Sequence, residues 1–261
     1  MSVTIFDKRH QPIRTFSTHP RHDDPDSRLE CQSGMNTFAW DMLYAPSVRI
    51  PGMLLWTGGA GTPKAAPGKY SARFRYGHDS ADVAFTILPD PNDSMTEADY
   101  DAQVAFLLKV KGKYDEVQRA ILRIRDLRTQ LNDLNGRLDS SGKPIRHLSD
   151  SLVRELTSIE EALYQTKSKS SEDMLNFPIR INDKLSGLYG VAAGGNAPPS
   201  QQVQEVFADL SARADRQLDR LKQVVDKGLP AVNKMIYERQ VPVISAKNEP
   251  SSPVNPERNG N

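Results

Sequence analysis

The sequence predicts an α+β fold with its two parts segregated: an N-terminal Ig-like antiparallel β-sandwich over 1–92, a long-helix antiparallel bundle over 94–240, and a disordered tail over 241–261. Three observations predict it. Up to residue 88 the apolar residues alternate in short runs broken by Gly, Pro and Asp, which is the period of strands. From Ser94 to Asn135 only Gly112 interrupts a Pro-free stretch whose apolar positions recur at heptad spacing. From about Val243 the chain turns to Pro, Asn and Ser, a composition that cannot bury a core.

Val3, Ile5 and Phe6 mark a first strand, Asp7–His10 a polar turn, and Pro12–Phe16 the returning strand of a hairpin. Residues 17–33 hold too much Pro and Asp to pair in a sheet. Gly34 opens a third expected strand, in which alternation puts Phe38 and Trp40 on one face, the expected core face. Met53–Trp56, after Pro51-Gly52, reads as a short apolar strand, and Gly58–Pro63 and Ala66–Gly68 read as turns. Tyr70, Ala72, Phe74 and Tyr76 share a face of the clearest strand, and Val83, Phe85 and Ile87 alternate after the next turn. About six short strands separated by turns is the pattern of an Ig-like sandwich.

Ser94-x-x-Glu97 matches a capping box at the start of the first helix. Tyr100, Leu107, Tyr114 and Ile121 form one heptad row, and Val110, Val117, Ile124 and Leu131 a second, which together make a single seam. About 39 residues at ~1.5 Å each give a rod of roughly 58 Å. Residues 136–146 read as a loop, and Leu152, Leu156, Ile159 and Leu163 line a second helix. Pro178 opens a shorter third helix carrying Ile181, Leu185, Leu188 and Val191, stopped by Gly194-Gly195 and Pro198-Pro199. Ser200 caps the last helix, whose seam runs from Val203 to Ile236 with a kink expected at Pro230. The arms 97–135, 148–193 and 201–238 are similar in length. They predict an up–down–up bundle whose middle arm is broken near Pro178, with four separate helices as the alternative.

The formal net charge is +1, with basic and acidic residues interleaved. Nothing forms the basic field that nucleic acid or an anionic membrane surface requires. The single Cys31 has no intrachain disulfide partner. No apolar run approaches the ~20 residues of a membrane-spanning helix, and none of signal-peptide length opens the chain. Location stays open: cytoplasmic if the chain is complete, periplasmic or extracellular if it is the tail of an exported protein. A strand pattern that begins at Ser2 is as consistent with the end of a longer parent as with a complete chain.

His19, His22, Asp23 and Asp24 gather in one loop and are the candidate metal ligands, since imidazoles hold transition metals and carboxylates hold calcium. Arg21 between the histidines favours a solvated polar loop instead, and no cofactor is expected. Gly58–Lys64 fails as a phosphate loop: Pro63 removes an amide, Ala65 follows Lys64, and a strand rather than a helix comes next. Asp41 beside Trp40 would be half of a glycosidase carboxylate pair, but no partner carboxylate is evident. Trp56, Lys64 and Asp41 are therefore read as binding candidates, with Trp56 as the stacking platform. Glu160 and Glu161 read as charges on a solvated face.

Several strings in order carry a resemblance. They are Gly34-Met35-Asn36-x-Phe38-x-Trp40-Asp41, Pro51-Gly52-Met53-x-Leu55-Trp56, Ala66-Pro67-Gly68-x-Tyr70, Ile159-Glu160-x-x-Leu163-Tyr164-Gln165 and Leu175-Asn176-Phe177-Pro178-Ile179-Arg180-Ile181-Asn182-x-Lys184-Leu185. Together they resemble the C-terminal region of bacterial sortilin-like (VPS10-type) propeller proteins of the BNR/Asp-box class, often labelled glycosyl hydrolases. The resemblance covers nearly residues 1–240. The propeller's Asp-box repeat, Ser-x-Asp-x-Gly-x-Thr-Trp, does not occur here, so no catalytic residue carries over. What the resemblance implies is a non-catalytic accessory module that docks on or presents a β-propeller, with a protein as its partner. A carbohydrate-binding module using Trp56 and the Gly58–Pro67 loop is the alternative. Self-association through the helical seams is the third reading, and the oligomeric state is left open.

Overall fold

Val3 and Ile5 alternate with Ser2, Thr4 and Phe6, and that period turns both buried side chains to one face of β1 (Ser2–Phe6). The computed structural model describes residues 1–20 and 24–242. In it β1 lies between β2 (Pro12–Ser17) and β3 (Gly68–Tyr76), and β4 (Asp79–Ile87) forms the far edge. The order is β2-β1-β3-β4, with every pairing antiparallel. Val3 stands opposite Phe16 and Phe74, Ile5 opposite Arg14 and Ala72, and Tyr70 opposite Phe85. One face of the sheet therefore collects these apolar side chains into a core of its own.

Two expected strands are not strands. Residues 34–40 pair with no ladder, and Met35 is exposed. Phe38 and Trp40 nevertheless pack on the sheet, as their alternation implied. The Phe38 ring centroid is 4.7 Å from that of Phe16, and Trp40 lies 6.1 Å from Tyr70 and 6.2 Å from Phe85. A local turn competes with ladder pairing here. The Trp40 indole N–H donates to the Leu43 carbonyl at 2.9 Å, and the Asp41 carboxylate accepts from the Leu43 amide at 2.9 Å. Met42 adopts φ +61°, which no extended strand allows. Among the described residues there is one sheet, and residues 38–44 cover its inner face where a second sheet was expected. Met53–Trp56 is the other correction: it is irregular between turns at 51–52 and 56–57, and it packs on the helices instead of the sheet.

The long helix is as its seam predicts. Leu107, Val110, Tyr114, Val117, Ile121, Ile124 and Leu131 are all buried along α1 (Glu97–Arg137). Its cap sits two residues later than the Ser94 match. The Thr96 hydroxyl accepts from the Asp99 amide at 3.2 Å, and the Asp99 carboxylate accepts from the Thr96 amide at 3.0 Å. Asp93, just upstream, is committed elsewhere, accepting from the Met95 amide and the Tyr100 hydroxyl.

The expected loop over 136–146 is shorter than predicted. Asp139 caps a 3-10 turn at Ser140–Gly142, and α2 (Lys143–Leu163) begins at once, with Pro144 in the first turn, where its missing N–H costs nothing. After a 3-10 turn at Ser171–Leu175, α3 (Ile181–Ala193) starts three residues beyond Pro178. Ser200 caps α4 (Gln201–Gln223), its hydroxyl accepting from the Val203 amide at 3.4 Å. Just before Pro230, a π-helical turn at Val224–Gly228 leads into α5 (Leu229–Glu238), so the helix continues past the proline. The wide turn is closed by the Leu229 amide donating to the Val224 carbonyl, one residue before the proline that has no N–H to give.

The chain is thus α+β: a four-stranded antiparallel sheet followed by long helices. α1 lies against α2, α3 and α4. Asn135 near its C-terminal end donates to Asp150 of α2 at 2.7 Å. Gln103 near its N-terminal end donates to the Gly195 carbonyl, just past α3, at 2.6 Å. Ile50, with the partly buried Met53, Leu55 and Ala60, joins the helical core although these residues lie between β2 and β3 in sequence. Among the described residues no helix is long and apolar enough to cross a membrane.

Candidate functional site

Residues 46–63 form a strap that leaves the sheet, crosses the helices and returns. Three side chains from the helical half hold its backbone. Asp115 of α1 accepts from the Val48 amide at 2.8 Å, and its other oxygen takes Lys111 at 2.6 Å. The hydroxyl of Tyr164, just past α2, accepts from the Leu54 amide at 3.2 Å. Asp183, in the first turn of α3, accepts from the Trp56 amide at 2.8 Å, the Thr57 amide at 3.1 Å and the Thr57 hydroxyl at 2.7 Å.

Asp183 is only 2% exposed. A buried carboxylate is costly unless its charge is met, and here three donors and the positive end of α3 meet it. A polar layer continues beneath. The Asn182 side-chain oxygen accepts from the Asp183 amide at 2.8 Å, and Gln118 donates to the Tyr114 hydroxyl at 2.8 Å. Burial pushes the Tyr114 hydroxyl up to about 12.

This anchoring fixes the backbone of Trp56 while its indole stays 53% exposed. The ring lines a groove of about 340 Å³ with Leu175, Pro178, Ile179 and Lys184, and Leu175 is 75% exposed. Exposed Trp and Leu beside one lysine make a surface that takes an apolar or aromatic group, or the flat face of a sugar. Because the strap is already ordered, little further entropy is lost on binding.

The other sequence candidates do not join Trp56. The Asp41 carboxylate lies 3.3 Å from an Arg14 amino group and also closes the turn at Leu43, away from the Trp56 groove. Lys64 is exposed, its backbone bridges Leu43, and it does not line the Trp56 groove. His19 is exposed with its ring beside the Thr18 hydroxyl at 3.1 Å, and Asp24 is half-buried. His22 and Asp23 lie outside the described residues. Among the described residues no three metal-ligating side chains converge.

Glu160 corrects another expectation. It is 1% exposed and meets Arg125 at 2.7 Å, with Arg128 at 2.8 Å from its second oxygen as a charge contact without hydrogen-bond geometry. Only Glu161 faces solvent. The anchors Asp115 and Asp183 were missed in sequence. Asp115 stands four residues from Lys111 and Asp183 in a helix's first turn, and both placements are equally ordinary for exposed acids.

Comparison with models of known families, with curated proteins and with solved structures finds no match.

Proposed function

We propose that the chain is a non-catalytic interaction module of a sortilin-like propeller system, docking on a β-propeller through the surface centred on Trp56. In this reading the sheet and its 38–44 cover represent an Ig-like sandwich, and α1–α5 a three-arm antiparallel bundle with its middle arm broken near Pro178. One observation carries the reading: a half-exposed indole on a strap whose backbone is tied to the buried Asp183. Pre-ordered tryptophans ringed by aliphatic side chains are where binding energy concentrates in interfaces.

The test is titration of the full chain with a purified sortilin-type bacterial propeller. Trp56→Ala should weaken binding by about 2 kcal/mol or more, roughly thirtyfold, without shifting the unfolding midpoint. Undiminished binding by the variant would reject the surface. Glycan hydrolysis by the chain alone, lost on changing Asp41, would reject the non-catalytic reading.

The exposed indole also suits a carbohydrate, and titration with soluble polysaccharides separates the two readings. A saturable change in tryptophan emission that vanishes in Trp56→Phe favours the sugar, since Trp40 is packed on the sheet.

A further inference from the structure

The β2 edge of the sheet carries a second cavity, of about 470 Å³, well apart in sequence from the strap's anchors. Its most buried polar lining is Arg14. The register of β1 against β2 slips between Ile5 and Phe6, so the consecutive Ile13 and Arg14 are both buried. A bulge of this kind re-aims a side chain, here Ile13, while Arg14, opposite Ile5 and two residues from Phe16, holds a cation on the core face by plain alternation. Arg14 is 9% exposed, and its guanidinium carbon lies 4.7 Å from the Phe16 ring centroid. One amino group reaches Asp41 at 3.3 Å, a long contact, whereas the buried Nε–H has no hydrogen-bond partner among the described residues. An arginine offers donors in a fork, and an unfilled edge of that fork is costly in a buried site.

Two further guanidinium groups, Arg28 and Arg49, line the same cavity; both residues are exposed and neither forms an ion pair among the described residues. With Asp26 and Asp41 also in the lining, three positive and two negative groups leave a balance of +1, suited to one negative charge. The rest of the wall is apolar at its centre. Phe16 and Phe38 pack directly on one another, with ring centroids 4.7 Å apart and planes inclined at 59°, and together present an aromatic wall. The volume falls in the ~300–1,000 Å³ range of small-molecule sites.

We propose that this cavity binds a small organic monocarboxylate with an apolar body. The carboxylate would pair with the Arg14 guanidinium, the body would lie against Phe16 and Phe38, and Arg28 and Arg49 would draw the anion in. The chemistry fits a free aromatic acid or the C-terminus of an apolar peptide.

The test uses the full chain and titrates benzoate, its neutral counterpart benzamide, N-acetyl-phenylalanine and inorganic phosphate, followed by calorimetry or amide chemical shifts. Saturable benzoate or N-acetyl-phenylalanine binding is expected, with Kd on the order of 1 mM, and with benzamide and phosphate each about tenfold weaker or worse. Tighter binding of benzoate points to the free acid, and tighter binding of N-acetyl-phenylalanine to a peptide terminus. Arg14→Lys keeps the charge that pairs with Asp41 but loses the fork, and should weaken binding about tenfold. The Arg28→Gln, Arg49→Gln double variant changes only exposed residues, and should weaken binding several-fold with the fold intact. That variant decides the matter if Arg14→Lys does not fold. Absence of saturation by both carboxylates, phosphate or benzamide binding as well as benzoate, or binding indifferent to the arginine changes would each overturn the proposal.

Discussion

Removing the Asp183 carboxylate should loosen the strap from the helices. Its oxygens accept three hydrogen bonds, at 2.8, 3.1 and 2.7 Å, from Trp56 and Thr57. A hydrogen bond to a charged group contributes about 1.5–3 kcal/mol, and an amide left unsatisfied in the interior costs about 1–3 kcal/mol. Two factors reduce the sum: burying the carboxylate is itself unfavourable, and the strap residues are exposed enough for water to reach their freed amides. Asp183→Ala should therefore destabilise by about 2–4 kcal/mol. Asp183→Asn, which keeps one acceptor but turns an amide toward donors, should cost about 1–2 kcal/mol, and Thr57→Val about 1 kcal/mol. Urea unfolding followed by circular dichroism measures each as a shift in midpoint at constant slope. The Asp183→Ala, Thr57→Val double variant should cost less than the sum of its parts, because both changes remove the same 2.7 Å bond. An Asp183→Ala variant within about 0.5 kcal/mol of the parent, or strictly additive costs in the pair, would refute the anchoring role.

A Cβ added at Gly61 would stand 2.5 Å from the ring of the buried Tyr189. Gly61→Ala should thus cost about 1–3 kcal/mol by thermal unfolding, and a neutral result would mean that the ring has room to move. At the alkaline end, burial pushes the hydroxyls of Tyr114 and Tyr189 up to about 12, above their ordinary value of about 10. The folded chain holds these protons more tightly than the unfolded one. Their contribution is complete below pH ~10 and is lost as the pH rises to about 12. Tyrosine absorbance near 295 nm, read beside circular dichroism, should show these groups ionising only as the chain unfolds. Full ionisation by pH ~11 with the fold intact would contradict their burial.

Much of the architecture was legible because its determinants are local. The seam from Leu107 to Leu131 needs only i to i+4 bonding within one segment, and all of it is buried along α1 as its spacing requires. Tyr70, Ala72 and Phe85 likewise announced a sheet face by alternation alone. Alternation states which side chains share a face, however, and not whether the backbone finds a ladder. Phe38 and Trp40 packed on the sheet as expected, while the turn at Asp41–Leu43 kept their segment out of any strand. Trp56 could be picked out as an unusual aromatic, but its groove depends on Leu175 and Lys184, more than a hundred residues away.

By itself the sequence determined the seam of the long helix, the presence of the four real strands, and that Phe38, Trp40, Tyr70 and Phe85 turn toward the sheet core, though not that Tyr76 and Val191 stay exposed. Only the tertiary structure decided where the backbone of 46–63 finds its partners, that Glu160 lies beneath Arg125, and that Arg14 turns into the core with a donor to spare. The physical reason is the range of the interactions. Periodicity follows from hydrogen bonds between near neighbours, whereas a lone Asp or Arg acquires its meaning from whichever distant segment folds against it.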